Sequence, residues 1–261
     1  MPGDRNCAQS VAQLQGDERT MRGQERLIGV FNRWNRPRAT SAGDIHDALL
    51  NAIVVQDLPP GTKLGEELLV EIFDLSRRHA SAALDRLGWE GLVTRLPNRG
   101  AWVAAPDAAE ARDIFAARRI IESGIVEMLA RADPQPDFGP ILAELAQEHA
   151  ARAQGQLREA IRLSGRFHIL LARLSGYRIL ADQVSLLVAR TSLVIALYER
   201  PDTMTCWHDD HAVLLEAIGA GRVDADIGLM REHLQALFDE LDLTRQAGLE
   251  FDPRGVFRLQ T

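Results

Sequence analysis

The sequence predicts a mainly α protein: an N-terminal winged helix-turn-helix domain followed by a C-terminal antiparallel six-helix bundle. Three observations lead there. Between Glu66 and Ala104 two helical stripes are followed by two strand-like runs; beyond Pro106-Asp107 the apolar periodicity is helical only; and no strand alternation or low-complexity tract follows. The implied organisation is a flexible N-terminal arm over 1–40, the winged domain over 41–105, an all-helical domain over 106–248 and a C-terminal tail over 249–261.

In the winged stretch, Leu68, Leu69 and Ile72 form one apolar helical stripe, Asp74 and Leu75 turn the chain, and Ser76 is placed to cap a second helix from Arg77 to about Glu90. Ala80, Ala83, Leu84 and Leu87 share the inner face of that helix, which leaves Arg78, Ser81, Ala82 and Asp85 outward and Arg77 at the rim of the first turn. Gly91 stops the helix. Leu92 to Leu96 and Ala101 to Ala104 read as strands joined by Pro97-Asn98-Arg99-Gly100, with Arg99 at an exposed tip.

Pro106-Asp107 caps a long helix from about Ala108 to Arg131. Five more helices are expected at about 138–153, 156–175, 178–199, 204–219 and 224–246, punctuated by Gly155, Gly176, Pro201-Asp202 and Gly219 to Gly221. Such a bundle suits a ligand cavity in its core. Its chemistry lies in its histidines. His168 shares a stripe with Leu157, Ile161, Ser164 and Leu171; His211 shares one with Leu214 and Ile218; His233 lies beside Met230, Leu234 and Leu237. Three helices each aim one imidazole inward, and each neutral ring needs a partner for both nitrogens. One divalent cation supplies a partner for all three, and three imidazoles suit zinc, nickel or a similar borderline ion with positions left for water or a ligand carboxylate. A metal-free hydrogen-bonded cluster, or one that binds a small molecule directly, is the alternative. His208, Asp209, Asp210 and Glu232 have spacings that favour the solvent face or a place behind the ligands.

At 261 residues, 46% hydrophobic and 26% charged, the chain can bury one or two cores. It shows no run of 18 or more apolar residues and no signal-peptide core in its first thirty, which points to a cytoplasmic protein with no membrane partner. Cys7 and Cys206 are far apart, so a structural disulfide is not expected. The arm carries seven arginines against four acidic residues, a net +3; it reads as a disordered tail, or as a start assigned too early with Met21 the true start, in preference to a DNA-tracking arm.

The run from Ile45-His46-Asp47-Ala48-Leu49-Leu50 through Leu58-Pro59-Pro60-Gly61-Thr62-Lys63-Leu64 resembles the helix and "pG-x-x-L" turn that open the DNA-binding domain of GntR-family transcription regulators. Ser76-Arg77, Ala83-Leu84, Arg86-Leu87, Glu90-Gly91-Leu92-Val93 and Arg99-Gly100-Ala101-x-Val103 continue the resemblance over 45 to about 105 without a gap. It implies DNA contacts from Arg77, Arg78, His79, Ser81 and Arg99. The family's recognition helix usually reads "SR-t-p-V-R-e-A-L" and uses two arginines; here Ser81 stands at the second, with His79 and Ala82 in place of Pro and Glu. Residues 45–105 carry six basic against eight acidic side chains, a net −2, so a modest binder is expected.

Ala117-Arg118-Arg119-Ile120-Ile121-Glu122 resembles the "R-x-x-L-E" opening of the FCD effector domain of the FadR branch, and six helices resemble its VanR-like subgroup. In that module a metal is held by the Asp and His of "D-x-x-F-H" and by two later histidines. Phe167-His168, His211 and His233 match, while Ser164 replaces the Asp. Tyr177 stands where the family often has Asn after "sG", and an arginine on the first helix often faces the ligand's carboxylate, which here implies Arg118. The effector-binding set so implied is Arg118, Ser164 and Tyr177. Arg118 and Glu122 are also i,i+4 neighbours, an ordinary ion pair of about 0.3 to 0.5 kcal/mol on an exposed helix.

Together these readings describe a ligand-responsive regulator, a repressor, that binds double-stranded operator DNA as a homodimer and senses a small carboxylate with a divalent metal. The alternative is a metal-dependent hydrolase or lyase using the three histidines. Against it stand the lack of an H-E-x-x-H, of a nucleophile with its base, and of paired carboxylates on one inner stripe.

Overall fold

A computed structural model describes residues 39–96, 100–200 and 210–244. The expectations for the N-terminal arm up to Arg38, for Arg99, for Cys7 and Cys206, for His208 and Asp209 and for the tail lie outside the described residues.

Helix α1 (Ala42–Val54) starts at Ser41, whose hydroxyl accepts the Asp44 N–H, while the Thr40 and Ser41 hydroxyls donate to the Asp44 carboxylate. A two-residue strand β1 (Lys63–Leu64) follows, then α2 (Glu66–Phe73), α3 (Arg77–Trp89) and strands β2 (Val93–Leu96) and β3 (Gly100–Val103). The strands form an antiparallel sheet in the order β1-β3-β2, with Lys63 opposite Trp102 and Val93 opposite Val103. Strand β1 was not expected, because two residues carry no alternation to read. Asp74, at φ 52, makes the turn between α2 and α3. Ser76 occupies the cap position of α3, but its hydroxyl bonds to His79 Nδ1 at 2.8 Å and makes no backbone cap, a correction to the expected role. Ala80, Ala83, Leu84 and Leu87 are buried as their spacing requires. Helix α1 lies across α3, and its buried His46 sits between Asp47 (2.9 Å) and Glu90 (2.7 Å). Burial alone would lower the pKa of this imidazole; the two carboxylates outweigh it and raise it.

Six helices follow among the described residues: α4 (Ala108–Ala130), α5 (Gly139–Ala153), α6 (Leu157–Leu174), α7 (Arg178–Tyr198), α8 (Asp210–Gly219) and α9 (Val223–Asp239). Asp107 caps α4 by accepting the N–H groups of Ala109 (2.9 Å) and Glu110 (2.8 Å). Helix α4 packs on α9, α7 and α6, and α7 packs on α6, α4 and α1. Helix α7, with a mean hydropathy of 1.6 in its most apolar window, is long and apolar enough to cross a membrane, but most of that window is buried among its neighbours. The last helix ends at Asp239, seven residues before the expected 246, because Leu241 bridges to Glu199 and the Asp242 N–H donates to the Tyr198 carbonyl at 2.7 Å.

The two domains share one apolar core. A contiguous cluster runs from Leu49 and Ile53 of α1 and Leu84 and Leu87 of α3 to Phe167 of α6 and Val184, Val188 and Leu193 of α7. Arg158 of α6 pairs with Asp57 (2.7 Å) at the loop after α1, and the Tyr198 hydroxyl donates to the Pro106 carbonyl (2.9 Å).

Candidate effector site and nucleic-acid face

His168 on α6 and His211 on α8 are buried and His233 on α9 is half-buried, each on the inner face of its helix. Their Nε2 atoms converge: His211 to His233 is 3.1 Å, His233 to His168 is 3.3 Å, and the three rings' ligand atoms all lie within 4.8 Å of one another. Phe167 stacks on His211 with ring centroids 4.0 Å apart, which fixes that ring.

Two carboxylates that spacing did not single out for this role orient the rings. His168 Nδ1–H donates to Glu122 Oε2 at 2.5 Å and His211 Nδ1–H donates to Glu148 Oε2 at 3.1 Å. Burial would raise both glutamates, but Arg118 and His168 hold Glu122 well below the usual carboxylate range, and His211 and Arg152 hold Glu148 at about 2. An ionised carboxylate accepts, so the proton of each ring sits on Nδ1 and each Nε2 presents a bare lone pair. His233 Nε2 can carry one proton and satisfy one of those neighbours fully, not both. The donor set therefore suits a cation. Two imidazole nitrogens about 2.05 Å from one tetrahedral ion are about 3.3 Å apart, close to the His211–His233 and His233–His168 separations.

Burial, ahead of every other cause, pushes the pKa of His168 down to about 3 and that of His211 to about 4. The unfolded chain takes up protons on these rings near pH 6.5, where the folded chain refuses them. Stability of the metal-free protein should therefore fall as pH drops below about 6.5, the two depressed rings outweighing the opposite contribution of His46, whose pKa is raised. Below about 4.5 the loss steepens, because Glu122 and Glu148 have depressed folded pKa values and their contribution disappears as pH falls through them. Thermal melts between pH 8 and 4 check this; a midpoint that does not change between pH 7 and 5 would contradict it.

A cavity open to solvent beside His168 is lined by Arg118, Ser164, Gly165, His168, Thr191 and Ser192 on its polar side and by Val54, Ile161, Val188, Ile195 and Leu237 on its apolar side. Arg118 donates through Nε to Glu122 (2.7 Å) and through Nη1 to Thr191 (3.4 Å), while its buried Nη2 has no hydrogen-bond partner among the described residues. Arg118 also lines the cavity, and a guanidinium in that wall makes it receptive to an anion. The structure thus brings Arg118, Ser164 and the three histidines together. It does not bring Tyr177: Gly176, at φ 76, ends α6 and leaves Tyr177 59% exposed at the start of α7, off the cavity lining.

On the winged domain, Arg77 and Arg78 are exposed at the start of α3. Arg77 is held by Glu67 (2.7 Å) and Glu66 (3.6 Å). His79 is half-buried and tied to Ser76. Ser81 lies under Arg95 of β2, which donates to its hydroxyl at 3.3 Å, to Glu66 at 2.8 Å and to the Asp85 carboxylate. Sequence reasoning missed Arg95, whose neutralisation of Asp85 needs the sheet to bring β2 against α3.

Residues 41–103 match the model of bacterial regulatory proteins of the gntR family, and residues 113–236 match that of the FCD domain. An HTH-type transcriptional regulator in an unstable DNA locus of Streptomyces ambofaciens is 28% identical over 79% of this chain and 87% of its own length. The HTH-type transcriptional repressor RspR of Escherichia coli is 25% identical over 77% and 89%. Among solved structures, a transcriptional regulator GntR from Rhodococcus sp. RHA1 superposes with a TM-score of 0.67 at 20% identity, covering 76% of this chain and 96% of that one. E. coli McbR/YncC gives a TM-score of 0.68 at 18% identity, covering 77% and 96%.

Proposed function

The chain belongs to the gntR family of bacterial regulatory proteins and carries an FCD domain, and from that premise we propose that it is a cytoplasmic, ligand-responsive repressor acting as a homodimer on operator DNA. The observation that carries the sensing part is that His168, whose Nε2 converges with those of His211 and His233, lines one cavity together with Arg118. His168, His211 and His233 would hold a divalent ion of the zinc or nickel type, which would supply a positive centre with open positions. The effector is a small organic acid whose carboxylate meets that centre and Arg118. The E. coli relative RspR is a transcriptional repressor, which supports the same sign here. The hydrolase or lyase reading is not favoured, since the family and the similar proteins are transcription regulators.

For DNA, a single helix-turn-helix offers too few contacts for tight specific binding, so two subunits should set their α3 helices about 34 Å apart, or a multiple of it, on a palindromic site. Arg77 must exchange Glu66 and Glu67 for a guanine edge or phosphate. Arg77→Ala is expected to cost about 1 to 3 kcal/mol and to relax preference at one base per half-site. Ser81→Arg should strengthen binding, with the new guanidinium competing with Arg95 for Asp85. Anisotropy titrations of the variants against the gene's upstream region test both; an Arg77→Ala protein with unchanged affinity and base preference removes α3 from the interface.

A further inference from the structure

Resting on the regulator reading above, we propose that the DNA-binding domain supplies part of the effector's own binding surface, through Val54, so that a molecule in the bundle cavity bears directly on helix α1. Val54 is the last residue of α1, is 2% exposed, and lines the cavity together with Arg118, Ser164, His168 and Thr191. Every other lining residue comes from α4, α6, α7 or α9. A valine side chain is short and stiff, so an occupant that displaces it displaces the end of the helix.

The segment after Val54 is held against the bundle. Gln56 adopts φ 61, a left-handed conformation uncommon for a non-glycine residue, and its Nε2 is buried without a hydrogen-bond partner among the described residues. Asp57 pairs with Arg158, in the first turn of the same helix that carries Ser164 and His168. Toward its other end α1 is fastened to α3, where His46 Nε2 meets Glu90 Oε2 at 2.7 Å and Leu49 and Ile53 share a core with Leu84 and Leu87. Helix α1 is therefore a bar with one end in the cavity wall and the other on the C-terminal end of the recognition helix. A second contact runs in parallel: Arg190, next to Thr191 on α7, lies so close to Gly91 at the end of α3 that a Cβ there would sit 3.2 Å from its Nε. Close-packed elements of this kind move between discrete arrangements and do not deform smoothly, so filling the cavity should select one placement of α1 and α3.

A tethered occupant tests this without knowing the natural ligand. Val54→Cys, in a Cys7→Ser, Cys206→Ser background, is treated with methyl methanethiosulfonate or with 2-carboxyethyl methanethiosulfonate. The introduced thiolate attacks the thiosulfonate sulfur, a mixed disulfide forms and methanesulfinate leaves. We expect complete modification, an affinity change of at least about fivefold for the gene's upstream DNA with the carboxyethyl adduct, the low end of ordinary allosteric coupling, and a change of less than about twofold with the methyl adduct. By reciprocity, upstream DNA should alter the modification rate. A thiol that refuses both reagents in the folded protein, or full modification that leaves the titration within about twofold, overturns the proposal. Should Val54→Cys not give the parent's circular dichroism, Thr191→Cys carries the same two adducts from the α7 side of the cavity and is judged by the same outcomes. The wild-type protein's preference for upstream over random DNA separates the two levels. With that preference present and the adducts silent, only the coupling through Val54 fails; with it absent in the wild-type protein, the regulator reading fails and this inference with it.

Discussion

Replacing Arg118 by alanine is expected to destabilise the protein by about 3 to 5 kcal/mol, because it leaves the Glu122 carboxylate buried without its guanidinium. The pair looks ordinary in sequence, and on an exposed helix i,i+4 neighbours contribute only about 0.3 to 0.5 kcal/mol. Here both side chains are 2% exposed, and Glu122 also orients His168, so the cost of an unpaired buried charge decides the outcome. For a chain of this size the melting midpoint should fall by roughly 6 to 20 °C. Arg118→Lys, which keeps a charge but loses the fork to Glu122 and Thr191, should fall less. A loss below about 1 kcal/mol for Arg118→Ala would show that the pair behaves as a surface pair and that the buried geometry is wrong. Ligand screens that use Arg118→Ala must therefore be compared with its own ligand-free melt.

The second large effect is metal loading. Zinc or nickel at about a hundred times its dissociation constant, bound by the folded state alone, adds about 2.7 kcal/mol and should raise the midpoint by roughly 5 to 11 °C. His233→Gln is the cleanest removal of a ligand, since that ring is only half-buried, while Glu122 and Glu148 hold the buried rings of His168 and His211. It should abolish the shift. Ser164→Asp, which restores a carboxylate four residues before His168, should tighten binding where the cavity admits it. Elemental analysis that finds no metal, together with melts that do not respond to added zinc or nickel, would leave the histidines as a hydrogen-bonded cluster.

Much of the fold was legible because it is written in local patterns. The inner stripe Ala80, Ala83, Leu84 and Leu87 and the cap at Asp107 need only near neighbours to form, and both stand where periodicity put them. The three histidines could be assigned to inner faces for the same reason. What escaped depends on contacts distant in sequence. Glu148 reaches His211 across 63 positions, Arg95 reaches Ser81 only after the sheet folds back, and Val54 enters the cavity only because α1 packs on α7. Tyr177 was named from family position alone, and local pattern could not show that the left-handed Gly176 leaves it at the surface.

The central claim is that this chain recognises an operator. Anisotropy titration of the wild-type protein against fragments of its own upstream region and against random DNA of equal length, each at two salt concentrations, tests it most directly. The account predicts preference for one palindromic fragment near the lower end of the range for specific binders, about 10³-fold, with strong salt dependence, because Ser81 stands where the family's second reading arginine would. Equal affinity for every fragment at low salt would contradict it.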